Sequence, residues 1–261
     1  MDDREVGKMW EGNAEVWTRL ARQGYDVYRD HLNTPSFLAM LPEVSGLRGL
    51  DIGCGEGNNT RLVAGRGASV VAVDIARNFV RAAQEKEAEE PLGIRYLAAS
   101  GSALPFADES FDFAVAFMSL MDMGDRDTAV AEAYRVLKPG GFLQFSMSHP
   151  CFGTPRWKWV RDEKGERVAV ECGDYFREQP RVEEWLFGAA PQAVKEKLPK
   201  FRVPRFYETL TTWMNRLIEA GFRLERINEP HADDETARRC PDVADTQIVP
   251  LSLHVRCRKA G

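Results

Sequence analysis

The sequence predicts an α/β fold, a largely parallel sheet with helices packed on both faces. Three observations carry that expectation. From residue 47 onward, short apolar runs of strand length alternate with segments of helical period. The first run, residues 47–52, feeds into glycines on alternate positions, Gly53-Cys54-Gly55-Glu56-Gly57, and then into a helical segment. The second run, residues 68–74, ends on an acid, Asp74, 21 residues after Gly53.

Taken in order, residues 8–41 read as helical. Trp10, Ala14, Trp17 and Leu20 recur at helical spacing, Tyr25 and Tyr28 follow, and Pro35 opens a second helix with Thr34 as its N-cap. Strands are expected over 47–52, 68–74, 94–98, 111–118, 142–147, 222–227 and 248–257. Helices are expected to start near Asn58 and to span 75–89, 126–137 and 209–220, the last with Gly221 beyond its end. Residues 149–205 break the alternation and read as an insertion or lid, and 229–245 as a polar loop. The chain is therefore expected to be one domain: a helical arm (1–46), a core (47–148), the insertion (149–205), and a closing helix with two strands (206–261).

A formal net charge of −5 with no basic run argues against nucleic acid or an anionic membrane surface as partner. The first ten residues carry Asp2, Asp3, Arg4 and Glu5 and lack the apolar stretch of a signal peptide. The five cysteines are scattered, with no Cys-x-x-Cys pair. A reduced, cytoplasmic protein without disulfides or a structural metal is expected. Oligomeric state leaves no mark on the sequence.

Alternate glycines between strand and helix let the backbone turn sharply and let a ligand approach it, with the helix N-terminus pointing unpaired N–H groups the same way. An acid closing the next strand suits a ribose diol, and equally the cap of the helix that follows. A dinucleotide turn places an acid there too, which keeps an NAD-dependent oxidoreductase as the alternative. Against it stand the Gly-x-Gly-x-Gly spacing and a second acid, Asp51, at the end of the first strand. A ligand with a cationic end and no phosphates fits these residues better.

Residues 50–57 (Leu-Asp-Ile-Gly-Cys-Gly-Glu-Gly) together with Asp74 resemble the first two motifs of the class I S-adenosylmethionine methyltransferases. Ala103-Leu104-Pro105-Phe106 followed by Phe111-Asp112, and Glu132 followed by Tyr134 through Gly141, resemble the family's later motifs in order and spacing. The nearest likeness is to the ubiquinone- and menaquinone-type small-molecule enzymes, over residues 47–148. The resemblance implies a Rossmann-like, doubly wound, mostly parallel seven-stranded sheet with an antiparallel last strand. It implies S-adenosylmethionine as the cofactor, with Asp51, Gly53, Cys54 and Gly55 along its methionine part, Asp74 on the ribose and Ile75 against adenine. The family often has an acid on the adenine amine where this chain has Ser100, followed by Gly101; Met118 would lie near the sulfonium. A non-catalytic protein that binds the same cofactor is a further alternative.

The acceptor is expected to be a small, planar aromatic or heterocyclic molecule. An aromatic wall of Trp17, Tyr25 and Tyr28 with Trp157 and Met121 would receive it. His149, Asp122 and Tyr207 are the candidate general bases. Each has a structural alternative: a hydrogen bond fixing the turn at residues 148–150, a helix cap, and packing under the lid.

Overall fold

The computed structural model describes residues 1–261. The N-terminal arm begins with α1 (Asp3–Arg22), opened by a capping box in which Asp2 accepts from the backbone N–H of Glu5 and the Glu5 side chain accepts from that of Asp2. A five-residue π turn, Arg29–Asn33, runs directly into α2 (Thr34–Met40). Thr34 is the first residue of α2 and not its cap, because the backbone entering it is already helical.

The core then alternates as expected: β1 (Arg48–Ile52), α3 (Asn58–Ala64), β2 (Ser69–Asp74), α4 (Arg77–Glu89), β3 (Arg95–Ala98), β4 (Phe111–Phe117), α5 (Arg126–Val136) and β5 (Leu137–Ser148). β5 starts earlier than the apolar pattern implied. Its pairing with β4 steps from Phe111–Leu137 to Phe113–Phe142, so the polar residues 138–141 sit in a bulge of the strand.

Residues 149–205, expected to be an aperiodic lid, contain two antiparallel hairpins. One pairs β6 (Arg156–Arg161) with β7 (Arg167–Gly173), the other β8 (Arg181–Trp185) with β9 (Phe201–Arg205), the second enclosing the short α6 (Gln192–Lys195). β6 and β7 are exposed along most of their length, so no alternation of apolar and polar residues marks them. The chain ends with α7 (Leu210–Glu219), β10 (Phe222–Asn228), α8 (Asp234–Arg239), a 3₁₀ stretch at Pro241–Gln247 and β11 (Ser252–Lys259). The supposed polar loop is thus largely helical, and the last strand begins four residues later than expected, after Pro250.

The main sheet has seven strands in the order β10-β11-β5-β4-β1-β2-β3, with β11 antiparallel to both neighbours and the pairs among β1 to β5 parallel. This is the Rossmann-like arrangement. One apolar layer, including Leu50, Ile52, Phe145, Trp213 and Leu217, packs α5 and α7 against one face. A second, including Phe37, Val63, Val80, Phe113 and Phe142, packs α2, α3 and α4 against the other. The strand order reverses between β1 and β4, and open α/β sheets bind ligands beyond the carboxyl ends at such a switch point.

Candidate functional site

A cavity of about 1320 Å³ opens at that place. Its floor is the turn after β1. The N–H groups of Gly53 and Cys54 both donate to the Val73 carbonyl, at 2.8 and 3.0 Å, which ties the end of β1 to β2. Gly53 holds φ +79°, and a Cβ there would stand 2.4 Å from Cβ of Ser119, so only glycine fits. Asp74 accepts from the Gly55 N–H at 2.8 Å and the Ala76 N–H at 2.9 Å. Its carboxylate therefore shapes the glycine turn and starts α4 while lining the cavity.

Asp51 is buried. Its Oδ2 accepts from the Thr60 hydroxyl at 2.6 Å, and its Oδ1 has no partner. Burial, helped by the nearby Asp74 charge and opposed by the Thr60 hydrogen bond, pushes Asp51 up to about 7. Burial likewise raises Asp74 to about 6, against two backbone hydrogen bonds. Glu56 closes this end, paired with Arg22 at 3.2 Å and Arg29 at 3.3 Å. Arg29 is also bound to Asp30 at 2.7 Å. No free cation faces the turn, so the chemistry suits a ligand that brings positive charge. The sulfonium and ammonium of S-adenosylmethionine meet that condition and a pyrophosphate does not.

Ile75, Ala99, Ser100 and Gly101 also line the cavity. Ser100 carries no charge, but the carboxylate absent there arrives from elsewhere. Asp3, in the first turn of α1, also lines the cavity and accepts from the Ser100 hydroxyl at 2.8 Å and from the Ser102 hydroxyl. Burial acts to raise Asp3. Hydrogen bonds from Ser102, Ser100 and the backbone of Asp125 and Gly124 outweigh it and hold the group below the ordinary carboxylate value. No local pattern announces a partner 97 residues away.

Met118 follows β4 directly and holds φ +51°, a backbone state that non-glycine residues rarely adopt. Its N–H is held by the carbonyl and hydroxyl of Ser146, at 3.1 and 3.0 Å. The strain sits where the chain leaves the sheet edge and turns along the cavity. Next come Met121 and Asp122, both buried and both lining it. Asp122 lies 3.5 Å from Nη1 of Arg205. Burial lifts it to about 7 despite Arg205, with Glu183 adding to the rise.

Trp17, Tyr25 and Tyr28 line the same cavity. They are joined by Trp185 and Phe187 from the second hairpin and by Glu166 and Arg167 from the first. Trp17 packs edge-on against Trp185 and Phe187, with ring centres 5.5 and 4.9 Å away. The 3₁₀ stretch contributes Asp242 and Asp245, residues that the sequence placed in a featureless loop. The Asp245 Oδ2 accepts from the Tyr28 hydroxyl at 2.7 Å and from Arg167 at 2.5 Å, joining three distant segments of chain.

Three anticipated residues fall outside this cavity. His149 is 3 % exposed; its Nε2 donates to Glu229 at 2.8 Å and its Nδ1 accepts from the Cys151 N–H at 3.2 Å. Both nitrogens are occupied in fixing the turn after β5, which corrects its reading as a base. Tyr207 donates to Glu183 at 2.5 Å and borders a separate hollow of about 270 Å³, as does Trp157. Trp157 is 40 % exposed on β6, none of whose residues lines the main cavity. Asp122 and Arg205 form the wall between the two spaces, lining both. No group of three or more His, Cys, Asp or Glu residues is arranged to hold a metal, and no helix is long and apolar enough to cross a membrane.

Comparison with known proteins bears on this geometry. Residues 50–145 match the model of a methyltransferase domain family. The crystal structure of an S-adenosylmethionine-dependent methyltransferase from Mesorhizobium loti is similar over 86 % of this chain and 96 % of that one, with 31 % identity and a TM-score of 0.71. An uncharacterized protein of Mycobacterium tuberculosis is 35 % identical over 98 residues, a stretch spanning 38 % of this chain and 36 % of that protein. A demethylmenaquinone methyltransferase from Renibacterium salmoninarum is 36 % identical over 111 residues, 42 % of this chain and 45 % of the relative. The chain thus spans less than half the length of these two curated relatives.

Proposed function

The chain belongs to the S-adenosylmethionine-dependent methyltransferases, and we propose that it transfers the donor's methyl group to a small, planar aromatic or heterocyclic acceptor. The observation that carries this reading is the continuity of one cavity. Its carboxylate-lined floor at Asp51 and Asp74 suits the donor, and the same space runs on to the aromatic wall. At about 1320 Å³ it exceeds the usual single-ligand pocket of roughly 300–1000 Å³, so donor and acceptor fit together.

In this reading Asp51 takes the donor's ammonium, Asp74 the ribose hydroxyls, and Ile75 one face of adenine. Bound S-adenosylmethionine supplies an electrophilic methyl on a sulfonium, and S-adenosylhomocysteine is the product. The chain's own task is to orient and desolvate, which can supply on the order of 7–11 kcal/mol. Met118 and Met121 shape the passage between the two ligands, and Trp17, Tyr25 and Tyr28 hold the acceptor's ring. Asp122 is the proposed base, since a carboxyl titrating at about 7 can accept a proton near neutral pH. His149 and Tyr207 are too fully engaged, and too far from the cavity lining, to serve.

The reading is tested by titrating the protein with S-adenosylhomocysteine and NAD, then screening acceptors with methyl-labelled S-adenosylmethionine and identifying products by mass spectrometry. Heat with S-adenosylhomocysteine, none with NAD, and label in an aromatic product are expected. Binding of NAD alone would overturn the assignment of the donor.

A further inference from the structure

We infer that the acceptor carries a basic nitrogen, bound as a cation by cavity carboxylates outside the glycine turn. The inference rests on the donor assignment above and goes beyond it, to the charge class of the second substrate. Besides the acids of the glycine turn and of the N-terminal arm, four carboxylates line the cavity, Asp122, Glu166, Asp242 and Asp245, with two arginines, Arg167 and Arg205.

Both arginines are already charge-paired. Arg167 is bound to Asp245 and lies over the Trp159 ring, 4.9 Å from its centre. Arg205 is held by Glu183 at 3.1 Å and Asp122 at 3.5 Å. The carboxylates also have capacity left. Asp245 is only 6 % exposed, and while its Oδ2 accepts two hydrogen bonds, its Oδ1 is buried without a partner. Asp122 has only the long contact to Arg205. A buried carboxylate oxygen that lacks a donor is costly, and an ammonium offers three.

The aromatic lining points the same way. Tyr28 stands at hydrogen-bond distance from Asp245, and the rings of Trp17, Trp185 and Phe187 cluster in the same cavity. Ring faces attract ammonium groups, and aromatic rings combined with carboxylates are a recurrent way to hold them. An acceptor bearing a carboxylate or phosphate would enter a lining with excess negative charge and no unpaired cation, and like-charge juxtaposition at a binding surface is unfavourable.

The test uses the unmodified protein saturated with S-adenosylhomocysteine and three probes on one aromatic body: 2-phenylethylamine, 2-phenylethanol and 3-phenylpropionate. Calorimetry or competition is expected to rank the amine first, at least about tenfold tighter than the carboxylate. Replacing Asp245→Asn or Asp122→Asn, each keeping the side chain's shape, is expected to shrink that margin several-fold. The preceding S-adenosylhomocysteine titration reports whether each variant is folded. An amine that fails to bind, a carboxylate that binds as tightly, or a margin intact in both folded variants overturns the inference while leaving the donor assignment standing. A failure to bind S-adenosylhomocysteine would remove both.

Discussion

At the residue scale the floor of the cavity holds two buried acids, and burial favours their neutral forms. Asp51 titrates at about 7 and Asp74 at about 6, both above the ordinary value of 3.8, so protonation favours the ligand-free fold. Their contribution to its stability is complete below about pH 4 and is lost as pH rises through 6 and 7. A cationic donor binds the ionised form. The thermal stabilisation given by S-adenosylmethionine should therefore grow from about pH 5.5 to about pH 8, measured as the difference in Tm with and without donor. Asp51→Asn should flatten that rise and weaken donor binding by roughly 10- to 100-fold, the value of a hydrogen bond to a charged group. A difference in Tm that stays constant with pH in the unmodified protein would remove Asp51 and Asp74 from this role. Asp51 and Asp74 were legible because a strand end and a glycine turn fix where a side chain must point. Asp3 and Asp245 were not, since each reaches the cavity by tertiary packing alone. His149 shows the opposite failure: standing at the end of a strand says nothing about which way the ring faces.

At the scale of elements, α1 ties the cavity wall together. Its first turn reaches the cavity through Asp3, and its middle is fastened to the second hairpin. Asn13 is buried; its side-chain amide donates to the Arg202 carbonyl and accepts from the Arg202 N–H, both at 2.9 Å. In effect the side chain extends the edge of β9. Asn13→Ala would leave both backbone groups without a partner and should cost about 1–3 kcal/mol in chemical denaturation. A loss below half a kcal/mol would mean that the joint is carried by Trp17 and Phe201 packing instead. The elements between residues 47 and 148 were readable because each buries a face and so keeps its hydrophobic period. The two hairpins and the 3₁₀ stretch were not. β6 and β7 bury little, and Pro241–Gln247 is ordered by Asp245, Thr246 and Val243 turning inward singly, which leaves no period to read.

Across the whole molecule, stability is graded from the sheet outward. β4 and β5 are central, almost wholly buried strands. β8 and β9 are braced by α1 through Asn13 and the rings around Trp17. The β6–β7 hairpin forms a separate two-stranded sheet with most residues exposed, and two strands alone are marginal in water. Its hydrogen-bonded ties to the rest are few: Arg167 to Asp245, the Thr154 hydroxyl with the Arg156 carbonyl at 2.7 Å and the Gly173 N–H at 3.3 Å, and the Cys172 thiol to the Phe152 carbonyl at 3.6 Å. Yet its turn places Glu166 and Arg167 in the cavity wall, so an acceptor there would touch an element with little stability of its own. Local opening costs least where buried contacts are fewest. Hydrogen exchange should accordingly find the amides of Arg156–Arg161 and Arg167–Gly173 fast in the free protein and still fast with S-adenosylhomocysteine alone, because the donor end lies across the cavity. They should slow once an acceptor is added, while β4 and β5 stay protected in all three states. Protection of the hairpin equal to that of β4 before any acceptor is present would show it to be part of the rigid frame, and acceptor binding would then have to proceed without ordering it.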